Sequence, residues 1–342
     1  MNDLLFGLLA AALATNAPTA VSNAVHQRTG VALSLPDRND PVEREYQKLL
    51  TDDDDAQAEA DEWIVAAQKD GATADAVGAA TLRARVRQRL DPIKQAYESF
   101  LQRHANHTRA RLAYGSFLND IGESVAAEAQ WQQARALDPK NPAAWNNLAN
   151  FYGHNGGIMK SFEYYAKAIE LEPTEPVYHH NFADTVFLFR KDAAEFFKLT
   201  EPEVFAKALG LYRRALELDP ANFLLAANLA ESYYVMKPAK TGDPAADRRA
   251  AQQHADDALA AWRAAMKLAR DDIERQGVLI HFARFEINAG RFDDARATLN
   301  GVTNAMFSST KNNLHKKLAG EETKARGTNA PPAPVATPPA NK

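Results

Sequence analysis

The sequence predicts an all-α protein built as an array of similar helix pairs. The first indication is the spacing of large apolar residues within 141–173. Trp145, Leu148 and Phe151 recur at three- and four-residue intervals and so share one face of a helix. Phe162 and Tyr165 lie on a similar stripe after a break at two glycines. One such helix pair leaves an apolar side exposed, so we expect neighbouring pairs to cover it.

The second indication is a period of 34 residues. Large residues recur in phase, and small residues recur at the places where two helices would touch. The pairs of corresponding residues are Tyr114 and Leu148, Gly115 and Ala149, Gly122 and Gly156, Trp131 and Tyr165, and Ala134 and Ala168. Later units repeat the pattern with Phe182, Leu229 and Phe282, each followed by alanine.

A 34-residue period with this composition resembles the tetratricopeptide-repeat family. The resemblance covers roughly 108–302 and implies a right-handed α-solenoid of about five to six helix-turn-helix repeats. The predicted repeats lie near 108–141, 142–175, 176–222, 223–272 and 276–302, and a degenerate repeat is predicted at 74–107.

Other segments flank the array. The predicted segments are an apolar N-terminal segment at 1–20, an arm with helices at 21–73, a capping helix at 303–319 and a disordered Pro- and Ala-rich tail at 320–342. The apolar run that begins at Leu4 is too short to span a bilayer, but it is similar to the core of a secretory signal. Asp3 and the lack of a preceding cation argue against that interpretation. The protein is therefore expected to be cytoplasmic, or exported or periplasmic if residues 4–17 are a cleaved signal.

Local signals predict several helix boundaries. Pro41 should open a helix through Leu50, and the acidic run 52–55 should cap the helix that follows. Asp91 and Pro92 have the signature of another helix start. Two repeats carry insertions between their helices, at 191–203 and 237–253. Such insertions are either part of a working face or helix extensions that bury their own apolar residues.

Composition and motifs exclude several function classes. The formal net charge is −4, so no global basic field attracts nucleic acid. The chain has no cysteine, and its pairs of possible ligands, His104 with His107 and His180 with Asp184, are too few for a tetrahedral metal site. It has no phosphate-binding glycine loop and no nucleophile elbow. We predict no metal, no cofactor, no catalytic residue and no enzymatic activity.

The family resemblance implies that the first helix of each repeat lines a concave groove that holds a peptide. The residues expected to line it are Asn146, Asn147, Asn150, His180, Asn181, Asp184, Asn228, Glu231 and Arg284. Side-chain amides suit an extended peptide backbone because they both donate and accept hydrogen bonds. One family subtype binds a terminal carboxylate through two asparagines and three cations. The cations are missing here, which argues against that ligand.

The sequence therefore predicts a non-enzymatic scaffold or adaptor that binds a peptide or helix of a partner protein in this groove. Two alternatives remain. One is a structural or self-assembly role for the insertions or end helices, and the other is a small-molecule or enzymatic role within the insertions.

Overall fold

A computed structural model describes residues 40–69, 76–236, 238 and 240–328 of the chain. The predicted signal segment and residues 21–39 and 70–73 of the predicted N-terminal arm lie outside these residues. Throughout the described ranges the backbone forms helices, turns and short connections, with no β-strand. This confirms the all-α fold of repeated helix pairs. The chain divides into two units, Met1–Lys198 and Leu199–Lys342, which are described in turn.

The described part of the first unit contains eight helices. They are α1 (Pro41–Lys69), α2 (Ala76–Arg103), α3 (Thr108–Asp120), α4 (Ser124–Leu137), α5 (Pro142–His154), α6 (Ile158–Leu171), α7 (Pro176–Leu188) and α8 (Arg190–Phe197). The pairs α3–α4 and α5–α6 correspond to the first two predicted repeats. The insertion in the third repeat forms α8.

The pair α5–α6 shows why the repeat sequence folds as it does. The side chain of Asn141 accepts a hydrogen bond from the Ala143 amide at 3.1 Å, and Pro142 occupies the first turn of α5. Gly156 then adopts φ +84°, which a residue with a side chain rarely does, and the chain turns into α6. The two helices approach closely because Ser161 is small and donates to the Ala149 carbonyl at 2.7 Å.

The pair α3–α4 depends on a similar close approach. A Cβ atom at Gly115 would lie 2.3 Å from Nε1 of Trp131, so only glycine leaves room for that ring. Trp131 in turn donates from Nε1 to the Leu112 carbonyl at 3.2 Å. The predicted contact of small residues against large rings is therefore present.

Two predicted helix boundaries are wrong. Helix α1 runs without a break through the acidic run 52–55, and α2 runs through Pro92. The two helices pack along each other and bury Tyr46, Ile93 and Tyr97 in one core, so tertiary packing carries them past the local stop signals. Asp53 is buried and accepts a hydrogen bond from the Tyr97 hydroxyl at 2.7 Å, so it does not cap a helix.

The predicted degenerate repeat at 74–107 is also wrong as a helix pair. Its described part holds the single helix α2, which packs against both α1 and α3. Tyr97 stacks on Tyr114 with ring centroids 5.1 Å apart, which joins this N-terminal pair to the first repeat.

The described part of the second unit contains six α-helices and a short 3₁₀ helix. They are α9 (Glu201–Leu218), α10 (Phe223–Ser232), α11 (Pro244–Leu268), α12 (Asp272–Asn288), α13 (Phe292–Asn300), a 3₁₀ helix (Ala305–Phe307) and α14 (Ser308–Thr328). The predicted capping box is present, since Glu203 accepts from the Thr200 amide at 2.8 Å. The long helix predicted to begin at Asp243-Pro244 is also present as α11.

Helix α14 covers the last repeat. Leu314 and Leu318 are buried against Ile280, Ile287 and Leu299. The helix continues to Thr328, so the predicted start of a disordered tail at 320 is wrong, and the tail beyond 328 lies outside the described residues. Among those residues, no helix has the length and apolar content needed to cross a membrane.

Candidate functional site

Two positions on the first helix of each repeat carry the polar residues of interest. They flank a large apolar residue and a buried alanine. The position before the large residue holds Asn147, Asn181, Asn228 and His281. The position after the alanine holds Asn150, Asp184, Glu231 and Arg284. His281 was not predicted as a site residue, although its place in the repeat, equivalent to Asn181, identifies it.

In the first unit, side-chain amides link the first helices of adjacent repeats. Nδ2 of Asn181 on α7 donates to Oδ1 of Asn146 on α5 at 3.2 Å. Nδ2 of Asn146 in turn donates to Oδ1 of Asn147 at 3.3 Å. Asn146 and Asn147 are only 2% and 4% exposed, so they position Asn181, which lies nearer the surface.

Asn150 is held from the second helix of its own repeat. The hydroxyl of the buried Tyr165 on α6 donates to Oδ1 of Asn150. Because this bond uses the carbonyl end of the amide, Asn150 retains its Nδ2 group as a donor. Burial raises the pKa of the Tyr165 hydroxyl, which therefore remains a neutral donor to Asn150.

His180 and Asp184 add an imidazole and a carboxylate to the same helix. They lie one turn apart on α7, with Nε2 of His180 3.6 Å from Oδ2 of Asp184. The Asp184 side chain is 41% exposed, so its carboxylate can meet a ligand. The first unit therefore presents amides together with one exposed carboxylate.

In the second unit, a histidine and aromatic rings take the place of the linked amides. Nδ1 of His281 lies 2.8 Å from the Tyr234 hydroxyl, and its ring stacks on Trp262 with centroids 4.0 Å apart and planes 15° apart. Tyr234 also stacks on Phe285 at 4.5 Å. Nε2 of His281 lies 4.0 Å from Glu231, too far for a hydrogen bond.

Burial decides the charge of the His281 and Tyr234 side chains. Burial, with a smaller contribution from the nearby Arg284, lowers the pKa of His281 to about 3, so the imidazole is neutral near pH 7. Burial also raises the pKa of Tyr234, while Arg284 opposes that shift. Glu231 has an exposed side chain, Arg284 is half-buried, and Asn228 is half-buried on α10.

His104, His107 and the first insertion serve packing. His104 and His107 both pack on Phe100, and the His107 ring accepts from the Ala110 amide at the start of α3. Across the described ranges, no group of three metal-binding side chains comes together. The insertion helix α8 packs Phe196 and Phe197 against Phe162, with centroids 5.3 and 5.4 Å away.

The sequence matches a family model described as a tetratricopeptide repeat over residues 131–163. This match runs from the middle of α4 through α5 into α6, the best-formed pair of the first unit. Comparison of the sequence with curated proteins gives no significant match.

Several solved structures have a similar arrangement of helices over part of the chain. PilW, a type IV pilus biogenesis factor, gives a TM-score of 0.47 at 15% identity and covers 66% of this chain and 91% of its own. YrrB, described as a protein with an unusual peptide-binding site, gives 0.45 at 12% identity, covering 67% and 99%. A tetratricopeptide-repeat protein of Thermus thermophilus, TTC0263, gives 0.40 at 17% identity, covering 63% and 99%. At these identities and TM-scores the similarity carries no information on function.

Proposed function

Because the chain belongs to the tetratricopeptide-repeat proteins, we propose that it is a non-enzymatic scaffold that binds an extended segment of a partner protein along the first helices of its repeats. Stacked repeats create long surfaces that suit extended ligands. The observation that carries the proposal is the 3.2 Å hydrogen bond between Asn181 and Asn146. It brings the amides of two successive repeats into one polar row.

The row suits a peptide backbone for a physical reason. An extended chain presents donors and acceptors at short intervals, and an amide side chain can form hydrogen bonds with both. Asn150 and Asn181 are fixed by buried partners, so binding a ligand costs them little side-chain entropy. Asp184 adds a negative charge, which favours a partner segment with a lysine or arginine at that place.

Within the second unit, described by itself, the proposed contacts are Asn228, Glu231 and Arg284. The exposed carboxylate of Glu231 and the half-buried guanidinium of Arg284 offer opposite charges. These groups favour polar and charged partner side chains over a uniformly apolar one.

The test is a comparison of three forms of the full chain as bait in extract from the source organism. The wild type is compared with a triple variant, Asn150→Ala, Asn181→Ala and Asp184→Ala. The matched control is Gln133→Ala, Glu163→Ala and Glu170→Ala, three exposed residues on second helices. We expect the first triple variant to recover about tenfold less of each specific partner than the wild type does. This corresponds to a loss of about 1.4 kcal/mol of binding free energy. Retention of every partner by the first variant would contradict the site.

A further inference from the structure

Three aromatic rings lie together on the surface of the first unit, outside the polar row. Trp145 and Tyr152 are on α5 and Tyr164 is on α6, and all three are only partly buried. Tyr164 lies 5.0 Å from Trp145 and 5.6 Å from Tyr152, with planes 79° and 82° apart. We refer to these residues as the ring trio. Rings nearly perpendicular to one another direct the edge of one ring towards the face of the next.

The Tyr152 side chain is fixed by hydrogen bonds at its hydroxyl, and its ring packs against the backbone at Gly157. Its hydroxyl donates to Oε1 of Glu128 at 2.6 Å and accepts from Nε2 of Gln132 at 2.8 Å. A Cβ atom at Gly157 would lie 2.9 Å from Cδ1 of Tyr152, so the glycine provides the room that the ring occupies. The position of this ring therefore does not depend on any group lying over its face.

The other two rings are fixed in the same way. Nε1 of Trp145 donates to the Pro139 carbonyl at 2.9 Å. Nη1 of Arg135 donates to the Tyr164 hydroxyl at 2.6 Å, and its guanidinium lies 5.0 Å from the Trp145 centroid. All three rings are held at their polar atoms, and the Arg135 guanidinium covers one side of Trp145 and of Tyr164, 5.0 and 5.4 Å from their centroids.

Lys160 places a second cation over two of the three rings, Tyr152 and Tyr164. Nζ of Lys160 is 3.8 Å from the centroid of Tyr152 and 5.3 Å from that of Tyr164. Contact with the Tyr152 hydroxyl raises the pKa of Lys160, so the ammonium stays charged. Lys160 is exposed and forms no ion pair within the described ranges. Its contact with the rings is therefore a weak, exposed cation–π interaction that another cation could replace.

We propose that the ring trio binds an alkylammonium group from another molecule, and that Lys160 occupies this place in the free protein. The electron-rich ring faces attract the charge, and methyl groups on the nitrogen add apolar contact while weakening its hydration. The proposal is independent of the polar row, because none of its residues belongs to that row.

The test is titration of the full-length protein with choline and with 3,3-dimethyl-1-butanol, which has the same shape without the charge. The readout is the NMR signal of the Trp145 indole N–H, assigned with Trp145→Phe. We expect saturable binding of choline, about fivefold tighter in Lys160→Gln than in the wild type because the resident cation is gone. The neutral alcohol should cause no saturable shift in either protein.

Matched variants show whether the rings bind choline and whether Lys160 competes with it. Lys167→Gln removes an exposed lysine of the same helix that pairs with Glu170, and choline affinity should equal that of the wild type. Tyr152→Leu in the Lys160→Gln background should abolish choline binding while the protein keeps its circular dichroism spectrum. Equal shifts with choline and the alcohol, or no gain in Lys160→Gln, would overturn the proposal.

A short peptide with one trimethyllysine distinguishes the sources of the cation. Tighter binding of this peptide than of choline assigns the site to a modified protein. Choline binding as tight or tighter assigns it to a free small cation. Binding of neither ligand to Lys160→Gln refutes the site.

Discussion

The same repeat positions carry two different chemistries in the two units. In the first unit, Asn181 donates to Asn146, and Asn150 accepts from Tyr165, so amides and a hydroxyl satisfy one another. In the second unit, His281 takes the place of Asn181, and it is stacked on Trp262 and bonded to Tyr234. The first arrangement has no ionisable group at the Asn181 position, whereas the second holds a half-buried imidazole that is neutral near pH 7. The scaffold thus fixes where a polar group lies but not how it responds to pH.

The largest expected effect is the loss of stability when the Trp262 ring, on which His281 stacks in the second unit, is removed. Trp262 is 1% exposed, and Trp262→Ala should lower the free energy of unfolding by about 3–5 kcal/mol, because it leaves a cavity and removes the His281 stack. Urea denaturation followed by circular dichroism measures the loss. The half-exposed Trp145 is the matched control, and Trp145→Ala should cost about 1–2 kcal/mol. Equal losses would remove the distinction between a core ring and a surface ring.

The next effect is a pH dependence that belongs to His281. Its folded-state pKa of about 3 lies below the ordinary 6.5, so the unfolded chain binds more protons between these values. Stability present above pH 6.5 is therefore lost as the pH falls towards 3. His281→Asn introduces the residue found at this position in the first unit. Between pH 6.5 and 4.5, we expect the free energy of unfolding of this variant to fall by about 1–3 kcal/mol less than that of the wild type. Urea midpoints measured across this range check it, and an unchanged slope would contradict a His281 that stays neutral in the folded protein.

A smaller effect concerns the hydroxyl groups of the two arrangements. Tyr165→Phe leaves Asn150 without its donor, and Tyr234→Phe leaves Nδ1 of His281 without its partner. Each change should cost about 1 kcal/mol of unfolding free energy. Thermal or urea unfolding of both variants side by side gives the measurement. If Tyr165→Phe proves neutral, the row of amides in the first unit is not held from the core as described.

The smallest expected effects are changes in stability of opposite sign, one in each insertion. Lys198 ends α8 with φ +54°, a conformation that glycine adopts more readily, so Lys198→Gly should stabilise the protein by about 0.5–1 kcal/mol. Gly242 precedes α11 with φ +83°, and a Cβ atom added there would meet none of the described residues within 4 Å. Gly242→Ala should therefore cost about 1 kcal/mol through backbone strain alone. Melting temperatures of both variants check the opposite signs. Shifts in the same direction would contradict these backbone assignments.

The sequence was sufficient for the repeated pairs because their signals are local and redundant. Trp131, Tyr165 and Trp262 occupy the same place in three repeats, and small residues such as Gly115 recur where rings approach. The N-terminal pair was misread because its boundaries depend on packing. Pro92 and the acidic run 52–55 are stop signals in isolation, yet the contact between α1 and α2 overrides them.

The candidate site was predictable in position but not in detail. The repeat register locates Asn150, Asn181, Asp184 and Arg284 on first helices. It does not reveal that Asn146 and Asn147 are buried, because burial depends on how adjacent repeats pack. The register places His281 at the position equivalent to Asn181, but it does not reveal the contacts of His281 with Trp262 and Tyr234, which lie far from it in the sequence.

Site-specific photo-crosslinking in the source organism tests the central claim most directly. A benzophenone amino acid replaces Asp184 on a first helix in one protein and Glu163, exposed on a second helix, in another. The account predicts that irradiation joins a partner protein to position 184 and leaves position 163 without that product. Crosslinking of the same partner only through position 163 would contradict binding along the first helices.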